Sequence, residues 1–163
     1  MGFFNFFSSP IKKSLKQLQY SEALLVLKSD LFTNLNQTQK FAMFTMLASL
    51  AAAPTNAEKT TMVQRMLFTD AAMMGLTQNM MLSYTQTHTK PNSQTVISTL
   101  RTIKDADVLE WLIYCGFSII SVNQNEKARY VFFDWWQQLG YKPKEIKRAV
   151  KSLEIKCRQF INL

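Results

Sequence analysis

The sequence predicts an all-α fold, a compact bundle of about eight helices. Three observations carry that expectation. Apolar residues recur at helical spacing along nearly the whole chain, and no alternating run is long enough for a confident strand. Capping and stop residues cut this pattern into segments of helical length. Hydrophobic residues make up 47% of the 163-residue chain, which is enough for a core in one domain. The division that follows is a short aromatic N-terminal segment, residues 1–9, and a single helical domain, residues 10–163.

The elements follow in order. Ser9-Pro10 supplies an N-cap and a proline at the first helical position, opening a helix through roughly Lys28. Asn36 or Thr38 starts the second helix, which Pro54 ends or precedes. Thr55-Asn56-Ala57-Glu58 has capping-box spacing and starts the third, which Gly75 stops. Thr77 and Ser93 cap two shorter helices on either side of Pro91. The sixth helix begins near Asp105 and runs to about Val122. Asn123-Gln124-Asn125-Glu126 repeats the cap-then-Glu spacing, and the seventh helix ends at Gly140. Pro143 sits in the first turn of the last helix, which continues close to the C-terminus. Short connections predict that sequence neighbours pack antiparallel.

Core positions follow from the same periodicity. Ala42–Ala53 and Trp111–Val122 are mainly apolar, uncharged runs of 12 residues each. A bilayer span needs about 20 residues, so both read as buried core helices. Phe132, Trp136 and Leu139 fall on one stripe with Phe133 and Trp135 beside it, and read as core. Met62, Met66, Met73, Met74, Met80 and Met81 read mainly as core packing, with an adaptable binding surface as the other reading.

Little chemistry is visible. His88 is the only histidine and lacks a sequence neighbour that would orient it as a general base, so it reads as a surface or loop residue. Cys115 and Cys157 form no disulfide framework, fit a reducing compartment, and read as core thiols. Asp105, Asp107 and Glu110 cluster where a helix dipole favours anions. Four glycines build no phosphate loop, and the N-terminus shows no secretory signal. The expectation is no catalytic, cofactor-binding or metal-ligating residue, and a cytoplasmic protein. An enzyme would need a site assembled across helices, with a polar cleft and a strongly shifted titratable group.

Charge is the most informative feature. The net charge of +8 is concentrated at the two ends. Residues 1–28 carry four Lys and one Glu, residues 142–163 carry seven Lys/Arg and two Glu, and the body between them sums to zero. On the last helix Ile146, Ala149, Val150, Leu153, Cys157 and Phe160 share the core-facing stripe. Lys144, Lys147, Arg148, Lys151 and Arg158 project on the other side, a candidate surface for an acidic protein or an anionic membrane. Nucleic acid is the weaker option, because no recognition motif is present. At the other end Phe3, Phe4, Phe6 and Phe7 precede Ile11, Leu15 and Leu18, with Lys12, Lys13 and Lys16 between them. That segment has three readings: docked on the bundle, docked on a partner or a second copy, or resting on a membrane surface in the interfacial manner.

An internal echo organises the body. At an offset of 68, Thr55-Asn56-Ala57-Glu58-Lys59 lies over Asn123-Gln124-Asn125-Glu126-Lys127, and Val63 lies over Val131. An apolar helix precedes each copy, and Gly-Leu-Thr or Gly-Tyr-Lys follows it. With the opening Met1-Gly2-Phe3-Phe4, this layout resembles the tellurite-resistance protein TerB family over roughly Phe41–Val150. The resemblance is clearest in Cys115–Ile146. It implies an all-helical fold with two helix–loop–helix repeats, acting as a non-enzymatic binding or scaffold module in a stress-response or tellurite-resistance-like system, peripheral to the membrane in some settings. Relatives carry acidic loops thought to bind cations. Here those loops read Ala53-Pro54-Thr55-Asn56 and Ser121-Val122-Asn123-Gln124, without an Asp. Glu58 and Glu126 alone supply too little anionic oxygen for a hard cation and read as helix-closing residues.

Overall fold

A computed structural model describes residues 30–52, 56–87 and 92–161. Those residues form seven α-helices and no strand: α1 Gln37–Leu50, α2 Ala57–Met73, α3 Gln78–Thr87, α4 Ser93–Leu100, α5 Ala106–Asn123, α6 Glu126–Gln138 and α7 Pro143–Ile161. They correspond to the second through eighth helices expected from sequence. The first expected helix, Pro91, His88 and the loop residues Ala53, Pro54 and Thr55 lie outside the described residues.

The helix ends show which residues set the boundaries. Asn36 accepts from the Gln39 amide at 2.8 Å while Gln39 Oε1 accepts from the Asn36 amide at 3.0 Å. This is a full capping box at the start of α1. Asp105 caps α5 by accepting from the Asp107 amide at 2.9 Å. Thr77 Oγ1 caps α3, accepting from the Met80 amide at 3.2 Å.

Three caps shift relative to expectation. Asn56 caps α2 by accepting from the Lys59 amide at 2.9 Å. Glu58 is therefore the second helical residue, one short of the capping-box position. Asn92, not Ser93, caps α4. Asn125 caps α6, accepting from Lys127 and Ala128 amides at 2.9 and 3.2 Å. Asn123 belongs to α5 and does other work. In each case an Asn, among the best capping side chains, displaces a neighbour that the spacing alone also permits.

The stops match their glycines. Gly75 has φ +78° and Gly140 has φ +94°, a region where an L side chain is strained. After α2, Gly75 N–H reaches Ala72 O and Leu76 N–H reaches Ala71 O, both at 2.9 Å. After α6, Gly140 N–H reaches Gln137 O at 3.0 Å and Tyr141 N–H reaches Trp136 O at 2.8 Å. Both are complete Schellman motifs, which satisfy the last carbonyls of each helix.

α5 is the hub. It packs on α1, α2, α6 and α7, and 12 of its 18 residues are buried. It is the one described helix long and apolar enough to cross a membrane by length and composition, with mean hydropathy 1.2 and 67% of that stretch buried in the bundle. Its apolar surface is thus largely covered by its own protein. Gly116 lets neighbours approach closely, since a Cβ there would lie 2.8 Å from the Phe132 ring and 3.1 Å from Leu50 Cδ1.

Packing departs from the expected neighbour-on-neighbour bundle. The most extensive contacts are α1 with α4, α5 with α7 and α2 with α5. Helices apolar on more than one side, α1 and α5, recruit partners from elsewhere in the chain, because burial rather than connection length decides the pairing. Phe132 and Trp136 are fully buried, Trp135 nearly so, and Phe133 and Leu139 pack on the edge of the core. Met66, Met74 and Met81 are core, Met62 and Met73 border it, and Met80 is exposed.

Candidate interaction surface

The last helix divides its faces as the periodicity requires. Ile146, Val150 and Leu153 are buried and Ala149 packs against the core. The chain places Lys144, Lys147, Arg148, Lys151 and Arg158 on the solvent side, all exposed. Lys144, Arg148, Lys151, Ile155 and Arg158 follow one another at steps of four, three, four and three residues, with Lys147 alongside. That spacing is one straight stripe along the helix, about 21 Å long at the α-helical rise. Ile155 lies fourth along it, between Lys151 and Arg158, and is 48% exposed. Side-chain placement is not described for Cys157 and Phe160.

The carboxylates of α7 do not neutralise the stripe's centre. Glu145 Oε2 is taken by the Lys142 amide at 2.6 Å, which closes the N-terminus of α7. Glu154 lies at one margin. Lys156 stands outside the stripe and pairs with Glu110 of α5 at 3.3 Å. This pair ties α7 to the hub helix, so the basic stripe is carried on a helix held from beneath by core contacts and one ion pair.

Tyr141 sits where α6, α5 and α7 meet. Its ring packs edge-on against Trp136 with centroids 5.3 Å apart. Burial, then the Glu145 and Glu110 carboxylates, push its hydroxyl above the ordinary value of 10.0. The folded state therefore holds the Tyr141 proton more tightly than the unfolded chain. The resulting stability is whole below pH 10 and falls as pH rises through the raised folded value. Tyr141→Phe flattens the alkaline limb of stability against pH in urea titrations; an unchanged limb contradicts this assignment.

At one end of the bundle the C-terminal ends of α1 and α5 and the first turn of α2 come together. Asn123 is fully buried at the last turn of α5. Its Nδ2 donates to Leu50 O at 2.8 Å and to Ala52 O at 3.0 Å. Lys59 Nζ, in the first turn of α2, donates to Gln124 Oε1 beyond α5. Gln124 itself takes a left-handed conformation, φ 56°. The side chain expected to cap α6 instead caps the C-terminus of α1. Glu58 and Glu126 are exposed first-turn residues, and Asn56 and Asn125 perform the closing role assigned to them from sequence.

Other features were not legible as sites. Asp70 is fully buried in α2, and with Asn123 and Ser118 makes up the buried polar side chains among the described residues. Val63, Met66, Leu67, Asp70, Ala71 and Met74 share one helical face, so periodicity did mark Asp70 as an inward position. Cys115 is fully buried, as expected for a core thiol. Among the described residues, no three His, Cys, Asp or Glu side chains group in a way that could hold a metal ion. Among the open grooves on the described surface, one of about 750 Å³ runs past Gln124, Glu126, Arg129 and Tyr130, and another of about 490 Å³ runs past Phe68, Gly75, Leu76 and Met81; neither of these includes an α7 residue. The aromatic cluster Phe3, Phe4, Phe6 and Phe7 lies outside the described residues. Comparison with family models, curated proteins and solved structures finds no match to this chain.

Proposed function

We propose that this protein is a non-enzymatic helical binding module of TerB-like type that docks an anionic partner through the exposed basic face of α7. The observation that carries the reading is the stripe Lys144, Lys147, Arg148, Lys151 and Arg158 on a helix whose opposite face is buried. Cations held in a row on a packed helix repel one another and gain from an anion that spans them. The TerB-like part rests on the repeated layout of capped helix, glycine stop and following helix, and on the junction of the two loops at Asn123. It brings with it a cytoplasmic setting, peripheral to the membrane, and a role in a stress-response or tellurite-resistance-like system.

The test is salt-dependent retention on immobilised dextran sulfate. Lys147→Glu/Arg148→Glu/Lys151→Glu elutes at much lower salt than the parent, while Arg65→Glu/Lys104→Glu/Lys127→Glu, with the same change in net charge on the body, stays close to it. Equal loss in both variants means that overall charge, not α7, governs binding, and removes the proposal.

A further inference from the structure

Resting on that reading of α7, we infer that the anionic partner is a phospholipid bilayer surface, on which α7 lies flat with Ile155 entering the headgroup layer. The geometry of the stripe favours a plane over a pocketed partner. Its cations extend along about 21 Å of one helix meridian, a convex ridge rather than a groove. A flat anionic surface meets every charge of such a ridge at once, and the potential near it decays within a Debye length, so in-line placement counts.

Ile155 separates this partner from a merely acidic one. It is 48% exposed in the C-terminal half of the stripe, with Lys151 one turn before it and Arg158 almost one turn after. An isolated exposed isoleucine needs no explanation by itself. Flanked by cations on an outward meridian, it is placed to enter the headgroup layer while the basic side chains reach the phosphates.

Sedimentation of the full chain with phosphatidylcholine vesicles, with and without phosphatidylserine, tests the inference. The parent partitions onto phosphatidylserine vesicles and not onto phosphatidylcholine alone. Lys147→Gln/Arg148→Gln/Lys151→Gln lowers that partition about 100-fold, and Lys147→Glu/Arg148→Glu/Lys151→Glu lowers it further. Ile155→Ser lowers it about fivefold but leaves retention on dextran sulfate unchanged. Circular dichroism confirms that each variant keeps its helices. Retention on dextran sulfate that depends on α7, without vesicle binding, overturns the bilayer and leaves the anionic-partner reading standing. Loss of α7 dependence in both assays removes both. Tighter α7-dependent binding to duplex DNA than to the vesicles, at equal phosphate concentration, overturns the bilayer in favour of nucleic acid.

Discussion

Replacing Asn123 with leucine lowers the unfolding free energy by about 2–4 kcal/mol. The side chain is fully buried, and its amide is the donor for Leu50 O and Ala52 O. These carbonyls belong to the C-terminal end of α1, where the helix has run out of its own donors. Leucine occupies a similar volume without donors, so the buried Leu50 carbonyl loses its side-chain partner and each lost bond carries a desolvation cost of about 1–3 kcal/mol, of which removal of the buried, unpartnered Asn123 Oδ1 offsets a part. Asn123→Asp keeps the shape, removes both donors and sets a carboxylate against two carbonyl oxygens, so it costs more than leucine at neutral pH. Urea denaturation measures both. Hydrogen exchange adds location: protection falls first at the end of α1 and the start of α2, because Asn123 ties α5 to that junction. A loss below about 0.5 kcal/mol for leucine means that the two bonds do not hold the loops together.

The core around Trp136 is the second sensitive place. Trp136→Ala costs about 3–5 kcal/mol, the range for deleting a large buried aromatic. Its ring contacts Phe132 at 6.4 Å between centroids and Tyr141 at 5.3 Å, both edge-on. Phe132 in turn packs on Phe117, Phe133 and the face of α5 opened by Gly116. An alanine cavity there has few flexible neighbours to fill it. Trp136→Phe behaves differently. The indole Nε1 is buried without an acceptor, a standing cost of about 1–3 kcal/mol that phenylalanine removes. That gain offsets most of the lost contact area, leaving a net change within about 1 kcal/mol. Thermal or urea unfolding of the two variants side by side checks the claim. If phenylalanine costs as much as alanine, the indole N–H contributes a bond that the packing does not reveal.

Much of the architecture was legible because the chain uses strong local signals. Asn36, Asp105, Gly75, Gly140 and Pro143 each occupy a position that few other residues satisfy as well, and the helix limits follow them. The stripes on α6 and α7 were legible for a different reason: a period of 3.6 assigns faces without any knowledge of the neighbours. The cap errors arose where the chain offers several polar candidates in a row, as in Thr55-Asn56 or Asn123-Gln124-Asn125. Local spacing cannot choose among them when a tertiary contact claims one. Asn123 is the clear instance, since the C-terminus of α1, more than 70 residues earlier, takes its amide. Its position was still marked, for Gly116, Ile119, Ile120 and Asn123 share the buried face of α5. Helix partners were least legible. Pairing of α1 with α4 and of α5 with α7 depends on surface complementarity over long separations, which a short connection does not report.

The candidate surface was legible in the charges and incomplete in its apolar part. Lys144, Lys147, Arg148, Lys151 and Arg158 were assigned to one face from spacing, and all are exposed there. Ile155 escaped notice because a lone apolar residue among cations carries no periodic signal of its own. Its place on the stripe becomes meaningful only once the opposite face is seen to be filled by Ile146, Val150 and Leu153.

Backbone amide NMR shifts of the full chain, followed during titration with dextran sulfate at low salt, test the central claim most directly. An anion-docking α7 predicts shifts concentrated in residues 144–158 that collapse as salt is raised. Shifts spread evenly over the basic side chains of the whole molecule, or centred on the groove beside Arg129 and Tyr130, contradict it.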